Sequence, residues 1–270
     1  MMVNNSKASI IMYHYVRDLK HSRYPEIKGL DVNLFKEQIK FLNKHYHFIT
    51  MEMLIDSIEN KSSLPNKSVL LTFDDAYIDH FEYVFPFLDK LKIQGSFYPP
   101  VKTVTEHTVL DVNKIHFILA SEKNKAKIIE EIKNELDKYR SDYGLKSHTY
   151  YLEKLAHKSR YDTAEVIFIK RLLQVELPEN IRKIITNNLF EKIIGVGEKS
   201  FSRDLYMNIE QLECMNRNNM HIGSHGYDHY WLGSLSKEKQ KNEIEKSLSF
   251  LDKIGSDLNQ WTMCYPYGNY

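Results

Sequence analysis

The chain has 270 residues, and its 37 lysines and arginines nearly balance 36 aspartates and glutamates, for a formal charge of +1. That balance gives no electrostatic case for nucleic acid or an anionic membrane as partner. Apolar residues make up 42% and charged residues 27% of the sequence, which provides for a buried core and excludes a disordered chain. The length lies between one large domain and two small ones, and the two cysteines, Cys214 and Cys264, are too few for a disulfide framework. No apolar run approaches the roughly 18 residues of a membrane span. The segment Met1 to Val16 lacks the small-residue cleavage site of a secretory signal. The expectation is a cytoplasmic protein with no signal peptide and no transmembrane segment.

Ala8 to Val16 is a near-continuous apolar run, the pattern of a strand buried on both faces in a parallel sheet. Asp31 is placed to cap a helix through about Lys44, with Phe35, Ile39 and Leu42 as its apolar stripe. Thr50 caps a second, short helix with Met51, Leu54, Ile55 and Ile58 inward, and Leu64-Pro65-Asn66 marks a turn. Ser68 to Phe73 is a second buried strand that stops abruptly at Asp74-Asp75. Phe81, Val84, Phe85, Leu88 and Leu91 then recur at helical spacing; Pro86 is expected to break or kink that helix and Gly95 to end it. Ser96 to Tyr98 is a third strand.

From about residue 101 to 205 the pattern is helical throughout. Ile128, Ile129, Ile132 and Leu136 form one face, Asp162 and Glu165 resemble a capping box, and Pro178 opens a further helix. Strand and helix alternation then returns. Asn208 and Gln211 start a helix that leads to a strand over Met220 to Ser224. Ser236 starts another that ends at Gly255, and Trp261 to Tyr265 is a last strand. Such alternation argues for parallel β/α units carrying a large helical insertion at approximately 101–205 within a single domain, 1–270.

Three strand ends carry chemistry. Thr72-Phe73-Asp74-Asp75 places adjacent carboxylates after a buried run, where each charge needs a partner or water. Successive strand residues face opposite ways, so one carboxylate can serve a metal and the other a reacting water. Read blandly, the pair is a turn or a helix cap. Gly223-Ser224-His225-Gly226-Tyr227-Asp228-His229 sets two imidazoles four residues apart, within reach of one ion if the segment is helical or tightly turned. His45 and His47, among the 12 histidines, carry no such pattern. Cys264-Tyr265-Pro266-Tyr267-Gly268 forces a sharp exit from its strand, a geometry that points a backbone N–H into a site. One carboxylate with two imidazoles is a minimal divalent-metal ligand set, and a second carboxylate beside it is placed to take a proton from water.

Thr72-Phe73-Asp74-Asp75-Ala76, His225-Gly226-Tyr227-Asp228-His229 and Tyr265-Pro266-Tyr267-Gly268 together resemble the first three motifs of the polysaccharide deacetylases, the carbohydrate esterase family 4 or NodB-homology enzymes, in the family's order. The resemblance covers roughly residues 8–100 and 205–270. It implies an irregular (β/α)7-type barrel and metal-dependent removal of N-acetyl groups from a sugar of a cell-surface polysaccharide or its precursor. Asp75, His225 and His229 would hold a divalent ion, zinc first with nickel, cobalt or iron as alternatives. Asp74 would be the general base, and the Tyr267 N–H would help to hold the oxyanion. Ile11-Met12-Tyr13-His14-Tyr15-Val16 is similar to the opening of the poly-N-acetylglucosamine deacetylase branch, whose motif order is circularly permuted; there His14 would be the acid for the departing amine.

Departures from the pattern are Ala76 for the usual Gly, Gly226 for Ser or Thr, and Cys264 for an Arg that pairs with the base. They leave a carbohydrate-binding relic, or a hydrolase of another ester or amide bond, as alternatives. Tyr77, Tyr227, Tyr230 and Trp231 are candidates for a sugar platform. The sequence stops three residues after Tyr267, so the expected barrel is one or two β/α units short of closure.

Overall fold

Parallel pairing organises the fold. A computed structural model describes residues 7–268 of the chain. They divide into two compact units, one comprising the described residues of Met1–Leu19, Gly29–Thr108 and Lys199–Tyr270, the other Lys20–Lys28 and Val109–Glu198.

The first unit holds the sheet. Its strands are β1 (Ala8–Tyr13), β2 (Val16–Arg17), β3 (Leu30–Asp31), β4 (His47–Phe48), β5 (Ser68–Asp74), β6 (Gly95–Tyr98) and β7 (His221–Ile222). β1 pairs with β5 from Ala8↔Ser68 to Tyr13↔Phe73, and on the other edge of β5 lie β4, at Ser68 and Val69, and β6, from Leu71 to Asp74. β7 continues the order from β6, and every one of these pairings is parallel. β2 and β3 form a separate parallel pair. Parallel sheets bury their central strands, and β5 is buried at all seven positions.

Helices α1 (Val32–His45), α2 (Met51–Glu59), α3 (Phe85–Leu91) and α4 (Val101–Thr105) belong to this unit. Asp31 caps α1 by accepting the Asn33 N–H at 2.8 Å, and Thr50 caps α2 by accepting that of Met53 at 3.2 Å. Phe35 and Ile39 of α1 pack with Tyr13, Phe73 and Phe97 in the main core. The rings of Tyr13 and Phe73, and of Phe73 and Phe97, stack at 5.2 and 4.7 Å.

The second unit is helical: α5 (Asp111–Ser121), α6 (Lys125–Tyr143), α7 (His148–Leu155), α8 (Ala164–Arg171) and α9 (Glu179–Ile194). Of the predicted face of α6, Ile128, Ile132 and Leu136 are fully buried, and Ile129 is half-buried. The chain returns through α10 (Glu198–Leu205) to α11 (Ile209–Arg217) and α12 (Lys237–Lys253). Asn208 and Gln211 form a complete capping box for α11, and Ser236 caps α12. No helix among the described residues is long and apolar enough to cross a membrane.

Several expectations need correction. β1 is not buried on both faces: it ends the sheet among the described strands, and Ile10 and Met12 are 58% and 57% exposed. The strand expected over Trp261 to Tyr265 is a single bridge, Met263 to Ser224, because its flanking residues do not continue the ladder. The helix after β5 begins as a five-residue π turn, His80–Val84, in which the Phe85 N–H bonds to the His80 carbonyl. Pro86, lacking a donor, then sits in the first turn of α3 rather than breaking it. α3 ends at Lys92 in the left-handed region, φ 55°, and Gly95 instead opens β6. There a Cβ would stand 2.8 Å from the Phe97 ring and 3.1 Å from Leu88. The cap of α8 is Thr163, while Asp162 pairs with Lys28 and Lys170.

Phe35 is fully buried among aromatic rings. Phe35→Ala should therefore destabilise the protein by about 3–5 kcal/mol, read from urea unfolding.

Candidate metal centre

The two aspartates leave the end of β5 into a cluster assembled from three chain segments. Asp74 and Asp75 are 2% and 3% exposed, and His225 and His229 are buried beside them. One ligand atom from each of Asp75, His225 and His229 lies within 4.8 Å of the others. His225 Nε2 stands 3.6 Å and His229 Nε2 3.4 Å from the same oxygen, Asp75 Oδ1. The segment bearing the imidazoles is a tight turn, and their ring centroids are 4.7 Å apart.

The protonation pattern of this cluster suits a cation. His225 Nδ1 bonds to the Cys264 carbonyl at 2.7 Å, so it is the donor and Nε2 carries the bare lone pair. That lone pair faces a carboxylate oxygen. Asp75 Oδ1 is buried with no hydrogen-bond partner, whereas Oδ2 accepts from the Tyr77 hydroxyl at 2.7 Å. Lone pairs converging in a buried place require a proton or a metal ion between them. With a proton there, burial works against charge on His225, but its pairing with Asp75 and its contact with Cys264 raise it to about 10. Burial and then the charge of His225 push His229 down to about 3. Burial also opposes charge on Asp75, yet His225 and His229 hold it well below the usual carboxylate range. A divalent ion replaces that proton with the same three ligands, so the donor set fits one.

Asp74 stands apart from the triad. Its Oδ2 accepts from the Cys264 thiol at 3.3 Å and lies 3.9 Å from His14 Nε2; its Oδ1 is buried without a partner. Burial raises its pKa, against the charges of His225 and His14. Cys264 thus stands beside Asp74 as a neutral donor, its own pKa raised by burial. His14 follows β1, and its side chain is 45% exposed beside the buried Asp74. Tyr267 lies in the short turn Pro266–Gly268 at φ 59°, its ring 4.8 Å from that of His229. All six residues singled out from the sequence therefore line one region.

The backbone accounts for one departure from the expected motifs, Gly226, and makes another, Ala76, strained. Asp75, Ala76, Gly226, His229 and Tyr267 all have positive φ, 55° to 75°. Glycine is the residue best suited to φ 75° at position 226, and Ala76 adopts φ 55° at a strain a glycine would not carry. Gly223 permits close approach: a Cβ there would stand 2.5 Å from the Tyr98 ring and 2.9 Å from the Thr262 carbonyl.

Sequence reasoning misplaced Tyr77. It is fully buried between the rings of Tyr15 and Tyr206 and orients Asp75, so it is no sugar platform. Of the suggested aromatic residues, Trp231 keeps more than a third of its surface exposed and stacks on Tyr267 at 4.6 Å. His80 escaped notice, since a lone histidine in a helical stretch carries no signal. Its Nε2 meets the His14 carbonyl at 2.7 Å inside the aromatic core.

Two outcomes are expected here. Gly223→Ala should cost about 1–3 kcal/mol of stability in thermal unfolding. Burial pushes His80 down to about 4, whereas an exposed imidazole titrates near 6.5. The unfolded chain takes up that proton first as pH falls, so this share of stability is present above about pH 6.5 and lost toward pH 4. His80→Gln keeps a donor without titrating, and its unfolding free energy should fall less steeply across that window.

The family model described as polysaccharide deacetylase matches residues 61–170 and 193–270. No curated protein matches the chain. Among solved structures, IcaB from Ammonifex degensii is 17% identical with TM-score 0.52, over 98% of this chain and 76% of that one. The Streptococcus pyogenes deacetylase PplD, in complex with acetate, is 15% identical with TM-score 0.51, over 98% and 75%. A de-N-acetylase from Aggregatibacter actinomycetemcomitans is 16% identical with TM-score 0.50, over 97% and 80%. These likenesses establish a shared fold, the irregular (β/α) barrel of such enzymes, and the family model, which matches well over half of the chain, shows that the chain belongs to the polysaccharide deacetylase family.

Proposed function

We propose that the chain is a metal-dependent hydrolase that removes N-acetyl groups from a sugar of a cell-surface polysaccharide. The observation that carries this reading is the buried Asp75, His225 and His229 triad with a second carboxylate, Asp74, and an imidazole, His14, beside it. The names of two fold relatives, a deacetylase with bound acetate and a de-N-acetylase, point the same way. Zinc is the first candidate ion for one carboxylate and two imidazoles.

A divalent ion held by the triad supplies Lewis-acid polarisation and a water of lowered pKa. Asp74, with its raised pKa and partnerless Oδ1, takes the proton as water adds to the acetyl carbonyl carbon. The Tyr267 N–H, in a turn beside His229, donates to the oxygen on which charge develops. His14 protonates the sugar nitrogen as the C–N bond breaks, leaving a free amine and acetate. The His225 imidazole is oriented from its far side by the Cys264 carbonyl, and the His14 backbone carbonyl is tied to His80.

Acetate release from an N-acetylglucosamine oligomer, with bound zinc measured in parallel, tests this. Asp74→Asn and His14→Ala should each lower turnover by about 10²–10⁴-fold while keeping the metal. His225→Ala should lose both metal and activity. Full turnover in Asp74→Asn and His225→Ala would remove the mechanism.

A further inference from the structure

The turn bearing both imidazoles is held by a residue that takes no part in the proposed reaction. Glu243, on α12 and buried, directs one oxygen at this turn: its Oε2 accepts the N–H of Tyr227 at 3.0 Å and of Asp228 at 2.8 Å. The preceding N–H, of Gly226, goes to Ser224 Oγ at 3.1 Å; Ser224 Oγ donates to Ser247 Oγ at 2.8 Å, one turn along α12 from Glu243. Ser247 in turn donates to the Ile244 carbonyl at 2.8 Å. The two successive N–H groups that follow the positive φ at Gly226 converge on one point, as in backbone turns that bind anions. Here the chain fills that point with its own carboxylate.

The opposite side of the turn is tied as well. The Gly226 and Tyr227 carbonyls accept the N–H groups of Val101 and Lys102 at 3.2 and 3.0 Å, and the Lys102 ammonium pairs with Asp228. Residues 226–228 are the whole of the chain between the two imidazoles, so their conformation sets how His225 and His229 converge on Asp75. His229 itself is held at φ 60°, a conformation a free turn would leave. Without Glu243 two partly buried N–H groups lose their acceptor, and the turn relaxes to recover one.

We infer that Glu243 is a positioning residue of the metal centre, whose carboxylate fixes the separation and aim of the two imidazoles through the backbone between them. The inference rests on the metal-centre reading above. It is tested on the full chain by zinc affinity from chelator competition, with circular dichroism and the thermal midpoint of the metal-free protein recorded for each variant. Glu243→Ala removes the acceptor, Glu243→Gln keeps an oxygen at the same reach, and Glu243→Asp keeps the charge but withdraws it. Glu243→Ala and Glu243→Asp should bind zinc about 10–100-fold more weakly, and Glu243→Gln within about threefold of the parent. A folded Glu243→Ala with parental affinity, or Glu243→Gln as weak as Glu243→Ala, overturns the inference. If Glu243→Ala does not fold, parental affinity in Glu243→Asp overturns it. A parent chain that binds no zinc refutes the metal-centre reading itself, and the inference with it.

Discussion

Asp74 and Asp75 leave the end of β5 side by side, both buried, and neither can carry charge there without compensation. Much of the first unit is arranged around that demand. The parallel register of β5 with β1 and β6 carries the pair to the end of the sheet where His14 follows β1 and the Asp75 N–H meets the Tyr98 carbonyl. The imidazoles arrive from beyond β7, and the Cys264 thiol and carbonyl from the bridge beside Ser224. Each aspartate nevertheless keeps one buried oxygen with no hydrogen-bond partner from the chain, which is the observation behind the proposed metal centre.

The two carboxylates differ in what surrounds them. Asp75 faces two imidazoles and a tyrosine hydroxyl, all favouring its charged form. Asp74 faces a neutral thiol and a half-exposed imidazole, so burial dominates and its proton affinity rises. Identical side chains, one residue apart, thereby have their proton affinities pushed in opposite directions by their environments, the separation that the proposed ligand and base roles need. The cost is carried by the backbone, with left-handed residues at Asp75, Ala76, Gly226, His229 and Tyr267. Such strain persists only where neighbouring structure over-determines it, and tethers from Tyr77, Glu243 and Met207, whose N–H meets the Ala76 carbonyl at 2.8 Å, provide that.

Legibility differed by the range of the interaction. Caps at Asp31, Thr50, Asn208 and Ser236 could be read because a cap involves residues two or three apart. The exposure of Ile10 and Met12 could not, because an apolar run has the same composition in a central strand as in one that ends the sheet. Pro86 misled for a related reason: its missing donor was accommodated by a π turn, a rearrangement with no compositional mark. Tyr77 looked like a surface aromatic beside a motif, and only the rings of Tyr15 and Tyr206 on either side show that it is buried.

The amino-acid sequence by itself determined the chemistry at hand: two adjacent carboxylates at a strand end, two histidines four apart, and a proline-aromatic turn, each a local pattern. Tertiary structure decided which atoms meet. Asp75 rather than Asp74 meets the imidazoles, Cys264 contributes through its carbonyl and its thiol, and His80 and Glu243 hold the pieces in place. Those contacts join residues separated by as many as 190 positions, as between Asp74 and Cys264. Proton affinity and ligand geometry depend on distance in space, and no spacing along the chain encodes it.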